Sequence, residues 1–233
     1  MLVFGIDTCC MAATAALVAE DRLVAQTVQN NKKTHSQRIM PMIEQMLYQA
    51  EIELSDIDCF AAAAGPGSFT GVRIGVATVK ALAHAAGKPC VAVSTLQALA
   101  NNVACFDGII CPIMDARRNQ VYNALFKGES MERITEDRAI SIDDLLSELK
   151  ETEGKIIFNG DGVAVFADKI KEELGERAVF ARRMQMMNLA ASVAEIGCDM
   201  LERGETIEYT ELSPQYLRLS QAERERLEKE NKA

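Results

Sequence analysis

The chain has 233 residues, enough for one large domain or two small ones with a sizeable core. Its composition, 48% hydrophobic and 25% charged, is that of a soluble globular protein. The net charge of −9 excludes broad attraction to nucleic acid, which rests on clustered Lys and Arg, so any RNA this protein serves is held by a partner. Seven cysteines without a CxxC pair suggest neither a disulfide framework nor a zinc knuckle. Cys9 and Cys10 are adjacent and too cramped for an ordinary bridge. Reduced thiols, the lack of a basic n-region and the lack of a long apolar run predict a cytoplasmic protein that avoids membranes.

Residues 2–7 read as an apolar strand, followed by strands at 13–19 and 23–29 joined through "EDR". A helix is expected over 34–50, with Thr34 and Gln37 at capping-box spacing. A strand at 59–64 leads into Gly65-Pro66-Gly67, and a helix runs on to Ala86, stopped by Gly87 and Pro89. "CVAV" is a short strand, and Ser94 and Gln97 cap the next helix. Beyond it, strands are expected at 109–114, 119–126 and 131–139, with a helix at 142–150 capped by Ser141 and Asp144. "KIIFNGDG" gives a strand and a glycine turn, then a helix to Leu174, a strand at 178–181 and a long helix at 184–203. "LSPQYLR", 212–218, reads as an extended edge segment, because Pro214 has no ladder donor. The charged tail, 220–233, reads as a solvated, frayed helix.

Each half thus has the order β-β-β-α-β-α-β-α, and the first hairpins align without gaps, Asp7 against Asp115. This duplicated α/β order resembles the actin-like ATPase superfamily, in which two ribonuclease-H-like halves face each other across a cleft. The expected units are 1–104, 105–219 with its long helix free to pack back on the first half, and the tail. Within that superfamily, "IDTC", "THSQRIMPMI", "GPGSFTGVRIG", "STLQALA", "DARRNQVY" and "LSPQYLR" together resemble the bacterial TsaB (YeaZ) family. The resemblance spans Met1 to about Arg218.

The glycine loop fits no phosphate-binding fingerprint. No Lys follows Gly71, as a Walker loop requires, and G-x-G-x-x-G fails at Thr70. Ser68 lacks the flanking glycines of a nucleophile elbow and reads as the cap of the helix that follows. Asp7, Asp115 and Arg117 mark a candidate nucleotide cleft between the halves, yet the bulky "ARR" after Asp115 crowds the phosphate position. The simpler role for both aspartates is to cap their own hairpin turns. Two histidines far apart, His35 and His84, make no zinc site. By resemblance, the metal-binding histidines of the catalytic relative TsaD would fall at Thr95 and Leu99, neither of which replaces an imidazole. No cofactor or metal is expected.

The remaining signal is helical. "TGVRIGVATVKALAHAAG" is apolar or small around most of its circumference, which asks for cover on two sides. The helix from Thr34 carries Ile39, Ile43, Met46 and Ala50 on one face, with Met40, Met42 and Leu47 off it. Either both helices pack within one chain, or they join an intermolecular bundle; the second arrangement is the one expected here. The resemblance implies that these segments bind TsaD, or a second copy when TsaD is absent. It implies further a non-catalytic scaffold and activator in the complex forming N6-threonylcarbamoyladenosine at position 37 of tRNA. In that complex, TsaE and tRNA are reached only through the assembly. The implied contact residues are His35, Met42, Met46, Gly65, Pro66, Gly67, Ser68, Phe69, Thr70, Gly71, Val72, Arg73, Gly75, Val76 and Lys80, with Arg73 and Lys80 pairing acids on the partner. The competing reading is an independent ATP-binding phosphotransferase or metallopeptidase of the same superfamily.

Overall fold

The computed structural model describes residues 1–31 and 34–218. The expected tail helix at 220–233 lies outside them. The first half runs β1 (Leu2–Asp7), β2 (Ala13–Ala19), β3 (Arg22–Gln29), α1 (His35–Ala50), β4 (Cys59–Gly65), α2 (Phe69–Ala86), β5 (Cys90–Ser94) and α3 (Thr95–Asn101). Its sheet has the order β3-β2-β1-β4-β5, with β1 antiparallel to β2 and parallel to β4. The second half runs β6 (Ile109–Asp115), β7 (Gln120–Asn123), β8 (Phe126–Lys127), β9 (Arg138–Ser141), α4 (Ile142–Lys150), β10 (Ile156–Asn159), α5 (Val163–Leu174), β11 (Ala178–Phe180) and α6 (Ala190–Glu202). Its sheet order, β9-β7-β6-β10-β11, is the order of the first half repeated. Among the described residues, no helix is long and apolar enough to cross a membrane.

Strand alternation decides which helices meet which face. On β1, Phe4 and Ile6 point toward α2, whereas Val3 and Gly5 point toward α6. Gly5 and Gly197 are required there: a Cβ on Gly5 would stand 2.5 Å from the Ala190 carbonyl, and one on Gly197 would stand 2.9 Å from the Ala61 methyl. α6 therefore lies tightly on the first sheet although it follows the second half in sequence. On β6 the alternation separates two cores. Ile110 and Met114 join the large core shared with α3 and α6, while Cys111 and Ile113 face α4 and α5.

Four local expectations change. Thr34 stands at the start of α1, but its side chain makes no capping bond, and only its carbonyl receives the Gln37 amide. His35 ties down that end instead. The strand expected at 119–126 breaks after Asn123, because Pro112 on the neighbouring strand has no amide. The buried Asn123 side chain donates to the carbonyls of Pro112 and Ala124 at 3.1 and 3.0 Å. The strand expected at 131–139 is displaced to Arg138–Ser141, since polar groups before it bond locally: Thr135 Oγ1 accepts the Leu125 amide, and Asp137 pairs with Arg133 and Ser94. The long helix expected at 184–203 is a 3-10 turn at Arg183–Met186, then a break, then α6. Asn188 sits in the break because its side chain reaches Asp7, and Thr14 Oγ1 accepts the Ala190 amide that opens α6.

Candidate partner-binding surface and the cleft beside it

α1 places Ile39, Met42, Ile43 and Met46 at i, i+3, i+4 and i+7, one stripe facing β2 and β3, and all four are buried. The expectation that Met42 and Met46 contact a partner is therefore corrected: their side chains belong to this chain's core. The outer side of α1 presents Met40, 47% exposed, Pro41, Glu44 and Tyr48, 83% exposed. His35, half-buried, donates from Nε2 to the Cys10 carbonyl at 2.8 Å, pinning the start of α1 to the β1–β2 turn.

α2 begins where Ser68 Oγ accepts the Gly71 amide at 3.4 Å, as a cap does, and ends in a left-handed Gly87. Its glycines serve the chain's own packing. A Cβ on Gly71 would lie 2.0 Å from the Thr8 carbonyl, one on Gly75 2.7 Å from Thr8 Oγ1, and one on Gly67 2.7 Å from the Cys9 side chain. Thr8 Oγ1 also donates to the Gly71 carbonyl at 2.7 Å. Gly71, Val72, Gly75 and Val76 are thus buried against β1 and β4, and the expectation that they face a partner is corrected on the same ground. What α2 leaves outside is Thr70, Arg73, Ala77, Ala81, His84 and Ala85, bordered by half-buried Ile74 and Thr78.

Arg73 and Lys80 also have partners within the chain, in its C-terminal segment. Lys80 Nζ donates to the carbonyls of Thr210 and Leu212 at 3.3 and 3.0 Å. Arg73 Nε donates to the Tyr216 hydroxyl at 2.7 Å, and Tyr216 stacks on Phe69 at 4.7 Å. The segment enters through a bridge between Ile207 and Cys90, and His84 packs on Tyr209 at 4.6 Å. Leu212 is fully buried, and Gln215 donates to the Ala64 carbonyl at 2.7 Å beside Gly65, whose φ is +123° and which precedes Pro66. Sequence reasoning read 212–218 as an edge segment; the alternation of Leu212, Tyr216 and Arg218 was the signal of a docked strap.

A cavity of about 710 Å³ lies between the halves, with Cys10, His35, Ser68 and Thr70 on one wall and Asp115 and Arg117 on the other. Asp7 is not on its surface. The Asp7 carboxylate is fully buried, accepting the Cys9 amide at 2.7 Å and Asn188 Nδ2 at 2.9 Å, and burial raises its pKa above the usual carboxylate value. Asp115 makes the equivalent turn contact in the open, accepting the Arg117 amide at 2.8 Å, while its own amide donates to Asp161 at 3.0 Å. Both aspartates therefore brace their turns. Arg117, Arg118 and Asn119 all have positive φ, so the turn is tight and Arg117 projects at the cleft. Burial pushes the Cys10 thiol up to about 12 and the Cys9 thiol well above its usual value, so neither is a thiolate at neutral pH. Thr95 and Leu99 are buried, Thr95 donating to Cys9 Sγ at 3.3 Å. Among the described residues, no three His, Cys, Asp or Glu side chains gather as a metal site.

Known proteins match this architecture over nearly its whole length. A family model described as "TsaD: tRNA N6-adenosine threonylcarbamoyltransferase" matches residues 22–231. The tRNA threonylcarbamoyladenosine biosynthesis protein TsaB of Bacillus subtilis (strain 168) is 36% identical over 225 residues, covering 96% of each chain. The chain belongs to the TsaB family. TsaB of Escherichia coli (strain K12) is 29% identical over 228 residues, 94% of this chain and 95% of that protein. Among solved structures, YeaZ from Pseudomonas aeruginosa superposes with a TM-score of 0.76 at 25% identity, covering 93% of this chain and 99% of that chain. TsaB membership and the repeated strand order agree on two halves of the actin-like ATPase fold.

Proposed function

We propose that this chain is a non-catalytic scaffold and activator in the formation of N6-threonylcarbamoyladenosine at position 37 of tRNA, and that it docks TsaD through the outer faces of α1 and α2. The observation that carries this reading is the neighbouring pair of exposed faces. Met40 and Tyr48 on α1 supply large apolar anchors, and Ala77 and Ala81 on α2 supply a shallow stripe into which another helix packs closely. The names of the relatives place them in threonylcarbamoyladenosine biosynthesis, and this chain shares almost their full length. A second copy covers the same faces when TsaD is absent, TsaE joins through the assembly, and the acidic net charge leaves tRNA to the partner. The sealed Asp7 carboxylate and the buried Thr95 and Leu99 support a role without its own chemistry.

Size-exclusion chromatography of the chain mixed with TsaD tests the reading. Co-elution is expected for the wild type. Ala81→Glu should weaken association by about tenfold or more while leaving the melting temperature nearly unchanged, since the site is exposed. Co-elution of Ala81→Glu at wild-type affinity, or no association by the wild type, would overturn it.

A further inference from the structure

The C-terminal strap does not end on α2. The Gln215 amide bonds the Ala64 carbonyl at the end of β4, and the next ring, Tyr216, lies nearly parallel on Phe69, 16° between planes. Arg218 then donates from Nη1 to the Ala116 carbonyl at 2.5 Å, in the β6–β7 turn of the other half. Residues from 215 to 218 therefore link the first sheet, the first turns of α2 and the far wall of the cleft. The rest of that turn is tied to its own half: Ala116 N to the Gln120 carbonyl, Gln120 N to the Arg117 carbonyl, Arg117 N to Asp115, Asp115 N to Asp161, and Asn119 to Ile142 and Asp143. The Arg218 bond to Ala116 differs from these in coming from the strap that is clamped to the first half.

We propose that residues 212–218 are a latch that sets the separation of the two halves, with Tyr216 clamping the segment to α2 and Arg218 bolting it to the Ala116 turn. Arg73 belongs to the clamp, since it donates to the Tyr216 hydroxyl and its guanidinium lies 5.5 Å from that ring. Arg218 itself lines the cavity between the halves, so the bolt lies across the opening it controls. Loss of either part frees the turn, even though the ring and hydroxyl contacts of Tyr216 lie on α2 and not on residues 115–120. The latch is independent of which partner covers α1.

Hydrogen–deuterium exchange of the full chain, read on peptides covering 115–120, tests the proposal. Arg218→Ala and Tyr216→Ala should each speed exchange there roughly three- to tenfold, and Arg218→Lys, which keeps a donor, should restore most of the protection. β1 and β4 should exchange as in the wild type. Tyr216 is 43% exposed, so its removal spares the core; Arg73→Ala, which removes only the partner of the hydroxyl, should shift the same peptides in the same direction. Wild-type exchange at 115–120 in Arg218→Ala would overturn the proposal. So would loosening in Arg218→Ala with no response to either Tyr216→Ala or Arg73→Ala, because the bolt would then act without the clamp.

Discussion

Asp7 and Asp115 occupy equivalent turns and make the same contact, carboxylate to the amide two residues on, yet one is sealed and the other open. The difference comes from α6, whose approach brings Asn188 over Asp7 and removes it from water. Desolvation favours the neutral acid, so the folded state holds the Asp7 proton more tightly than the unfolded chain does. The sign follows: below the unfolded value of 3.8 Asp7 carries no penalty, and as pH rises through its higher folded value stability is lost. Asp7→Asn removes that penalty. Its stability relative to the wild type, measured by urea titration, should therefore improve steadily as pH is raised from 4 toward 7; a difference that does not change with pH would contradict the assignment. The turn-bracing role of both residues was readable from sequence, because a short acceptor after a strand has few other uses. Which one would be buried was not, since Asn188 is remote in sequence.

At the level of single elements, amphipathic pattern located the helices but misplaced their partners. A wheel that takes Ile39, Ile43 and Met46 as one stripe must admit Met42 as well, and the structure does so. On α2, small residues gave no indication of which neighbour they accommodate. The neighbour is the β1–β2 turn: Gly71 abuts the Thr8 carbonyl, a backbone atom that cannot step aside. Replacing Gly71 by Ala sets two effects against each other. Helix propensity favours Ala by about 1 kcal/mol, while a forced overlap in a packed core costs typically 1–3 kcal/mol or more. The overlap of a Cβ only 2.0 Å from that oxygen should win, so Gly71→Ala is expected to lower unfolding free energy by about 2 kcal/mol in chemical denaturation. An unchanged or higher midpoint would mean that α2 can ride up on the turn.

Over the whole molecule, duplication was the most legible feature, because leading strands followed by alternating helices and strands recur, and both sheets share one five-strand order, to which the second adds β8 beside β6. The cleft between the halves follows from that arrangement, and its lining bears on the competing ATP-binding reading. Phosphate chemistry there would need an accessible carboxylate on the first half, whereas Asp7 is sealed and the second turn carries Arg117 at its tip. Calorimetric titration of the chain with Mg-ATP is therefore expected to give no saturable heat in the micromolar range, and saturable micromolar binding would restore that reading. Local pattern alone determined the order of elements along the first half, the helix caps at Ser68, Ser94 and Ser141, and the absence of phosphate fingerprints, since each depends on residues a few positions apart. Only the tertiary structure decided which side of α2 is inside, that α6 lies on the first sheet, and that Arg73 and Lys80 are engaged by residues 210–216. The first depends on the Thr8 turn, 63 residues from Gly71, and the other two on contacts between segments more than a hundred residues apart; neither helical period nor motif spacing carries that information.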